Sequence, residues 1–309
     1  MIINKILITG ACGHIGSYLI ENIYKIKKIK KVFLIDNFNT QRYQTLFNLN
    51  KKIKYSFFDI DLSKNNLAKF EKVDYVLHFA SLTNAQGSFN KRKEMFRNNL
   101  GCMKNIIEYC RRTKAKLVHL SSTSVYGKQA KIVNESDTHL LRPQSPYAEI
   151  KLIEENLLQK NSKHLKYMSF RFGTIAGISK GMRFHTAINK FCFNVSLKEK
   201  IYVYKTAYNQ YRPYLSLKDA FKVFKFCIEK DLFINSTFNA LTGNYTVKQI
   251  IDMIKKFKKG VKIKFVKTKI MNQLSYQVDN QKLNKFGLKL KSDIKKDIKE
   301  TLNLLKGLK

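Results

Sequence analysis

The chain has no tryptophan, only 3 prolines and 13 glycines among 309 residues, and few acids: 22 Asp and Glu against 59 Lys and Arg. So little proline and glycine excludes a collagen-like or low-complexity chain. A hydrophobic fraction of 44% supplies a core and excludes global disorder. No run approaches the ~18 apolar residues of a membrane span, so no membrane partner is expected. The apolar stretch at the N-terminus is too short for a signal peptide and has no cleavage site; it reads as a first strand in a cytoplasmic protein. Cys12, Cys102, Cys110, Cys192 and Cys227 are odd in number, contain no CxxC pair and are joined by no His cluster. Neither a disulfide framework nor a metal site is expected.

A formal charge of +37 would ordinarily raise nucleic acid as a partner. Here the basic residues are spread along the whole length instead of gathering in one tract, and they come with an excess of Ile, Asn, Phe and Tyr that suits A/T-rich codons. A solvated lysine-rich surface, with no specific nucleic acid, is the simpler reading.

What is present is a rhythm. Short apolar runs at Lys5–Thr9, Val32–Asp36, Lys54–Phe58, Tyr75–Phe79, Leu117–Ser121 and Tyr167–Phe172 are nearly continuous in Ile, Val, Leu, Phe and Tyr, as strands covered on both faces are. Helical stretches of crossover length separate them, which predicts an α/β fold with a Rossmann-type doubly wound parallel sheet. After residue 173 the alternation stops. Arg183–Val195 and Val247–Lys258 look helical, and Ser292–Leu305 reads as an amphipathic helix with Ser292 as N-cap and Gly307 past its end. We therefore expect residues 1–173 to form a cofactor domain, with parts of 200–235 returning to it, and 174–309 to form mainly a smaller α+β substrate domain.

The first strand runs into Gly10-Ala11-Cys12-Gly13-His14-Ile15-Gly16 and then a helix start. Gly10 permits a tight turn, Gly13 a close approach of backbone to a pyrophosphate, and Gly16 close packing of helix on strand. The amide N–H groups of Cys12 through Ile15 and the helix N-terminus face the phosphates. A second strand ends in Asp36-Asn37, twenty residues beyond the last glycine. A carboxylate there accepts hydrogen bonds from an adenosine ribose and repels a 2′-phosphate, and no Arg follows it directly, which favours NAD over NADP. Asp59-Ile60, ending the third strand, would hold the adenine edge or cap a helix. Phe79-Ala80-Ser81 would let the backbone run beside the cofactor, and His78 reads as a packed core histidine.

Tyr147 and Lys151 follow Pro146, which suits the first helical position, and at i, i+4 they lie on one helix face. A free phenol titrates near pH ~10, so its use as a base at neutral pH needs about 4 kcal/mol of help. A neighbouring ammonium and an oxidised nicotinamide both supply it. Ser121-Ser122-Thr123-Ser124-Val125-Tyr126-Gly127 ends the fifth strand at the edge where open sheets bind ligands.

With these pieces in family order, the chain resembles an extended short-chain dehydrogenase/reductase of the nucleotide-sugar epimerase/dehydratase family. The glycine loop, Asp36, Asp59-Ile60, HFAS at 78–81, Asn98, SSTSVYG at 121–127, SPYAEIK at 145–151, RFG at 171–173 and RPYLSLKDA at 212–220 carry the resemblance. It implies Tyr147 as base, Lys151 as its support and Ser122 as the hydroxyl that shares the substrate proton. It further implies NAD as cofactor and redox at C4 of a nucleotide sugar, by a 4-epimerase or a 4-dehydrogenase/reductase. Asn98 would support the catalytic helix, and Arg212 would grip the substrate diphosphate. Ser81, Thr83, Thr123, Thr174, His185 and Thr186 would line the sugar pocket. Thr123 and Ser124 stand where 4,6-dehydratases of this family carry Asp and Glu, which argues against dehydration, and Gly173-Thr174 departs from the family's galactose epimerases. A non-catalytic NAD-bound regulator and a basic nucleic-acid-binding protein are the alternatives.

The helix Lys91–Thr113 carries two apolar stripes, one through Phe96, Leu100, Met103, Ile107 and Cys110, another through Met95, Cys102, Ile106 and Tyr109. A surface helix needs one. The second implies burial against something else, the monomer's own core or a partner, and the resemblance implies a homodimer through this helix and the one bearing Tyr147.

Overall fold

A computed structural model describes residues 4–84, 87–267 and 275–307. In chain order its elements are β1 (Asn4–Thr9), α1 (His14–Asn22), β2 (Ile29–Asp36), β3 (Lys54–Asp59), β4 (Tyr75–His78), α2 (Arg92–Thr113), β5 (Lys116–Ser122), β6 (Ile132–Val133), α3 (Pro146–Lys160), β7 (Tyr167–Phe172) and β8 (Thr174–Ala176). There follow α4 (Ala187–Ser196), β9 (Ile201–Tyr204), β10 (Tyr211–Ser216), α5 (Leu217–Lys230), β11 (Ser236–Ala240), β12 (Gly243–Thr246), α6 (Val247–Lys255), β13 (Ile263–Val266), β14 (Gln277–Val278), α7 (Gln281–Lys285) and α8 (Ile294–Leu304). Short 3-10 turns join several of them.

All six strands read from the sequence exist, and they lie in one parallel sheet ordered β11-β7-β5-β4-β1-β2-β3. Alternate side chains go to opposite faces, as the strand period of two requires. Ile6, Ile8, Val32 and Leu34 pack beneath α1 and α5, whereas Leu7, Phe33, Ile35 and Val76 meet α2. That two-sided burial is why the strands read as unbroken apolar runs. The strand order reverses between β1 and β4, which opens a crevice at their carboxyl ends.

The second stripe of α2 is absorbed by the protomer itself. Met95, Cys102, Ile106 and Tyr109 are all buried at 3% exposure or less, the last three in the layer between α2 and the sheet. The second stripe therefore faces the chain's own core, not a partner, and the inference of a homodimer from it fails. A helix under a parallel sheet and beside α3 is covered on two sides.

Beyond β7 the chain builds a three-stranded sheet, β12-β10-β8, against α4, α6 and α8 through Ile188, Cys192, Tyr214, Ile250 and Ile298. A capping box between Thr246 and Gln249 starts α6. The chain re-enters the large sheet at β11, just past the 200–235 segment expected to return. The last helix is capped by Asp293, whose carboxylate accepts from Lys295 N. Ser292, expected in that role, donates its hydroxyl to Asp219 Oδ1 at 2.7 Å, so it ties the tail to α5. Among the described residues no helix is long and apolar enough to cross a membrane.

Candidate active site

A cavity of about 940 Å³ occupies the crevice and runs from Asp36 and Arg42 past the glycine loop to Tyr147, Arg212 and Tyr276. Its floor is set by two glycines. Gly10 has φ +64°, and a Cβ on it would stand 2.6 Å from Ala80 N. A Cβ on Gly16 would stand 2.5 Å from Ala11 O. The protein's own backbone demands both. Gly13 is different: a Cβ there would meet only Gly10 O, at 3.2 Å, and the residue lines the cavity. The space above it is room for a ligand. At this point α1 begins with no side-chain cap and no acid in its first turn, so its first N–H groups and the positive end of its dipole are open to an anion. The loop therefore fits a dinucleotide diphosphate.

Asp36 is aimed by the backbone. Cys12 N donates to its Oδ2 at 2.9 Å and Phe38 N to its Oδ1 at 3.0 Å, which leaves lone pairs on both oxygens for ribose hydroxyls. Burial raises its pKa, while those two N–H groups and Arg42 pull the other way. Arg42 was missed because the sequence was searched for an arginine directly after Asp36. Six residues later in the chain, it folds back to within electrostatic reach of the carboxylate. Asn37 caps its own turn, accepting from Asn39 N at 3.2 Å, and lines the cavity together with Ile60, Phe79, Ala80 and Ser81.

Asp59 is a correction. It ends β3 exposed, in register with Asp36, and is absent from the cavity wall. Ile60, Asp61 and Leu62 line the wall instead. Asp61 was hidden because it looks like a turn residue, and its Oδ1 does accept from Ser63 N and Oγ. Asn98 lines the cavity, but its amide donates to Asn99 Oδ1 at 2.9 Å. Asn99, fully buried, accepts from Leu82 N and donates to Leu82 O. Through Asn99 the pair ties down the loop after β4.

The helix that carries the expected base forms as its sequence directs. Ser145 accepts from Ala148 N at 3.2 Å as N-cap, and Pro146 opens the helix. Tyr147 and Lys151 then sit one turn apart, with Lys151 Nζ 5.8 Å from the Tyr147 ring centroid. Across the cavity, Ser122 ends β5, and its Oγ accepts from Ser124 N at 3.2 Å and from Ser124 Oγ at 2.8 Å. Tyr147, Lys151, Ser122 and the glycine loop thus share one cavity.

Lys151 is held by a residue the sequence reading passed over. Its Nζ donates to Glu154 Oε2 at 2.8 Å, one turn along the buried side of α3. The same oxygen contacts His119 Nε2 at 2.9 Å, and His119 Nδ1 contacts Ser169 Oγ at 2.9 Å. Burial alone would favour the neutral forms. The ion pair wins: the Glu154 carboxyl is held down at about 2 by Lys151 and His119, and Lys151 is raised by Glu154 and then Tyr147. His78 is structural, as expected. It contacts Thr9 Oγ1 at 2.7 Å, and burial pushes its pKa down to about 3.

Toward the second domain the wall contains Thr83, Thr123, Thr174, His185, Thr186 and Arg212. Thr123 is buried, with its hydroxyl shared between Phe172 O at 3.3 Å and Tyr276 Oη at 3.2 Å. Burial, then Arg183 and Arg42, push His185 down to about 4, so it presents a neutral imidazole at neutral pH. Tyr276 and Arg183 joined the wall without a spacing motif to announce them.

A doubly wound sheet with a glycine-rich turn under a helix N-terminus, an acid at the end of β2 and a tyrosine–lysine pair on a helix defines a dinucleotide-dependent short-chain dehydrogenase/reductase fold. The family described as NAD dependent epimerase/dehydratase matches residues 6–240, and the chain belongs to it. An uncharacterized UDP-glucose epimerase of Bacillus subtilis is 32% identical over 60% of this chain and 62% of its own length. A trifunctional UDP-glucose 4,6-dehydratase, epimerase and reductase of Arabidopsis thaliana is 25% identical over 97% of this chain. The chain spans 46% of the latter and less than two thirds of the former. UDP-glucuronic acid 4-epimerase from Bacillus cereus, solved with UDP-glucuronic acid and NAD, superimposes with a TM-score of 0.85 at 24% identity, covering 97% of this chain and 98% of that one.

Proposed function

We propose that the protein is an NAD-dependent enzyme that performs redox at C4 of a nucleotide-activated sugar, as a 4-epimerase or a 4-dehydrogenase/reductase. The observation that carries this is the placement of Tyr147, Lys151 and Ser122 on the walls of the cavity that begins at the glycine loop. Tyr147 as phenolate takes the proton of the C4 hydroxyl, and Ser122 Oγ orients that hydroxyl by a shared hydrogen bond. Lys151 favours the phenolate by its charge and holds the nicotinamide ribose. When bound, NAD supplies the hydride acceptor. Arg212 takes the diphosphate of the sugar nucleotide, and Ser81, Thr83, Thr174 and His185 face the sugar. Residues 1–173 with the returning α5 and β11 form the cofactor unit of this reading, and the remainder forms the substrate unit.

Elimination of water is not part of this reading. A 4,6-dehydratase needs a carboxyl acid beside C6, and Thr123 and Ser124 offer hydroxyls already engaged with Phe172 O and Ser122 Oγ. Incubation with a panel of UDP-, GDP- and dTDP-sugars, followed by NMR and mass spectrometry, tests the proposal. The expected product is either the C4 epimer at unchanged mass or a 4-keto sugar lighter by two hydrogens, with matching NADH. A product lighter by one water would overturn it.

We also propose a homodimer, on different grounds from the second stripe of α2. Phe96 and Leu100 on α2 and Ile153 and Leu157 on α3 remain partly exposed on neighbouring outer faces, and the two helices are bridged by Arg92 and Glu149 at 2.7 Å. Light scattering should give twice the chain mass for the parent and a monomer for Leu100→Glu. A monomeric parent would refute it.

A further inference from the structure

The segment between β8 and α4 crosses back over the glycine loop and is fastened there. Ser179 Oγ donates to His14 O at 2.9 Å, and Gly181 N donates to Ser17 Oγ at 2.8 Å. Gln44 Nε2 donates to Lys180 O at 2.9 Å from the loop beyond β2. A Cβ on Gly181 would collide with the carbonyl oxygens of Cys12 and Gly13. Two residues further on, Arg183 turns into the cavity. Its backbone carbonyl is anchored by Asn189 Nδ2 at 3.0 Å, and its Nη1 donates to Thr83 Oγ1 on the loop after β4.

That hydroxyl is a poor match for a guanidinium. Arg183 Nε is shut off from solvent and has no hydrogen-bond partner, and among the described residues no carboxylate lies within ion-pair distance of Arg183. The groups that act on it are Tyr147, which favours its charge, and then a like charge, Arg42. A half-buried guanidinium whose Nε has no partner and whose side-chain hydrogen bond goes to a neutral hydroxyl is poorly compensated, and an anion in the cavity resolves that cost. Two anions enter the cavity in a family member, the cofactor diphosphate and the substrate diphosphate. Arg212, on β10, has Tyr276 and Tyr214 as its electrostatic neighbours and serves the second. Arg183 acts on His14 at the first turn of α1, and its strap rests on Cys12 and Gly13.

We propose that Arg183 is a ligand of the cofactor diphosphate, closing from the second domain the side of the phosphate site that the glycine loop and α1 leave open. The dinucleotide is then gripped by both domains and stays bound while sugar nucleotides exchange. The inference rests on the family's NAD site and not on which sugar is turned over.

The test is a set of binding measurements on the full chain, freed of nucleotide, with NAD, ADP-ribose, adenosine and UDP as the probes. Arg183→Gln should weaken NAD and ADP-ribose by about 10- to 100-fold, the scale of a hydrogen bond to a charged group, and leave adenosine and UDP unchanged. Arg183→Lys, which keeps the charge but loses the fork, should fall between. The ligand-free Gln variant should melt no lower than the parent, because it loses an uncompensated cation. Parental affinity for ADP-ribose would overturn the proposal. So would a loss confined to UDP, which would assign Arg183 to the substrate, or a clear drop in the melting temperature of the ligand-free variant, which would make it a structural prop. None of these readouts requires turnover, so failure of the C4 reading would leave the result interpretable.

Discussion

Tyr147→Phe is expected to bind NAD as the parent does and to lose turnover by a factor on the order of 10² or more. The change deletes one oxygen and keeps the ring that lies 5.8 Å from Lys151 Nζ, so the packing at the start of α3 is preserved. What disappears is the only group on that helix face that can accept the C4 hydroxyl proton in the proposed reaction. Ser122 cannot replace it. A serine hydroxyl can share a proton but has no phenolate-like form near neutral pH, and Ser122 Oγ already accepts from Ser124. Single-turnover reduction of bound NAD, followed by absorbance, isolates the chemical step from product release. The expected result is a slow or absent rise in NADH at unchanged NAD affinity and unchanged melting temperature. A variant with near-parental turnover would remove Tyr147 from the mechanism.

The parts of this molecule that were legible in the sequence are those whose chemistry is local in the chain. A strand buried on both faces must be apolar throughout, so the strands from β1 to β5 and β7 could be read directly. The glycine loop, Asp36 and the Tyr147–Lys151 pair each lie within one turn or strand end, and spacing alone places them. The groups that escaped notice are brought in by tertiary folding. Arg42 returns to Asp36 from a loop, Arg183 arrives on a strap from the second domain, and Tyr276 meets Thr123 from far along the chain. Asp59 shows the opposite error: a motif placed it beside the cofactor, and the end of β3 leaves that side chain exposed and off the cavity wall. The second stripe of α2 shows another limit, since periodicity reveals that a face is covered but not by what.

Glu154 combines both kinds of failure, because it stands beside the catalytic motif and yet acts through the buried pair it forms. Glu154→Gln is expected to lower stability by about 3 kcal/mol, since it leaves the Lys151 ammonium buried without its counter-charge. The pH dependence follows from the shifts. The Glu154 carboxyl is held at about 2 against an ordinary 4.5, so its stabilising contribution is fully present above pH 4.5 and is lost as pH falls toward 2. Lys151 is raised above 10.5, so its contribution is present below that value and is lost as pH rises through the raised one. Parent and variant should therefore differ most across the middle of the range, and their denaturation midpoints should converge in acid. Activity should fall with stability. Glu154 is what keeps the buried Lys151 charged against burial; without it burial favours the neutral amine, the support that this charge gives the proposed base weakens, and the acid limb of the rate profile moves to higher pH. A merely structural carboxylate would lower stability and leave the limb where it was. Equal stability of the two proteins at neutral pH, or an acid limb that stays put, would show that Glu154 does not tune the catalytic pair.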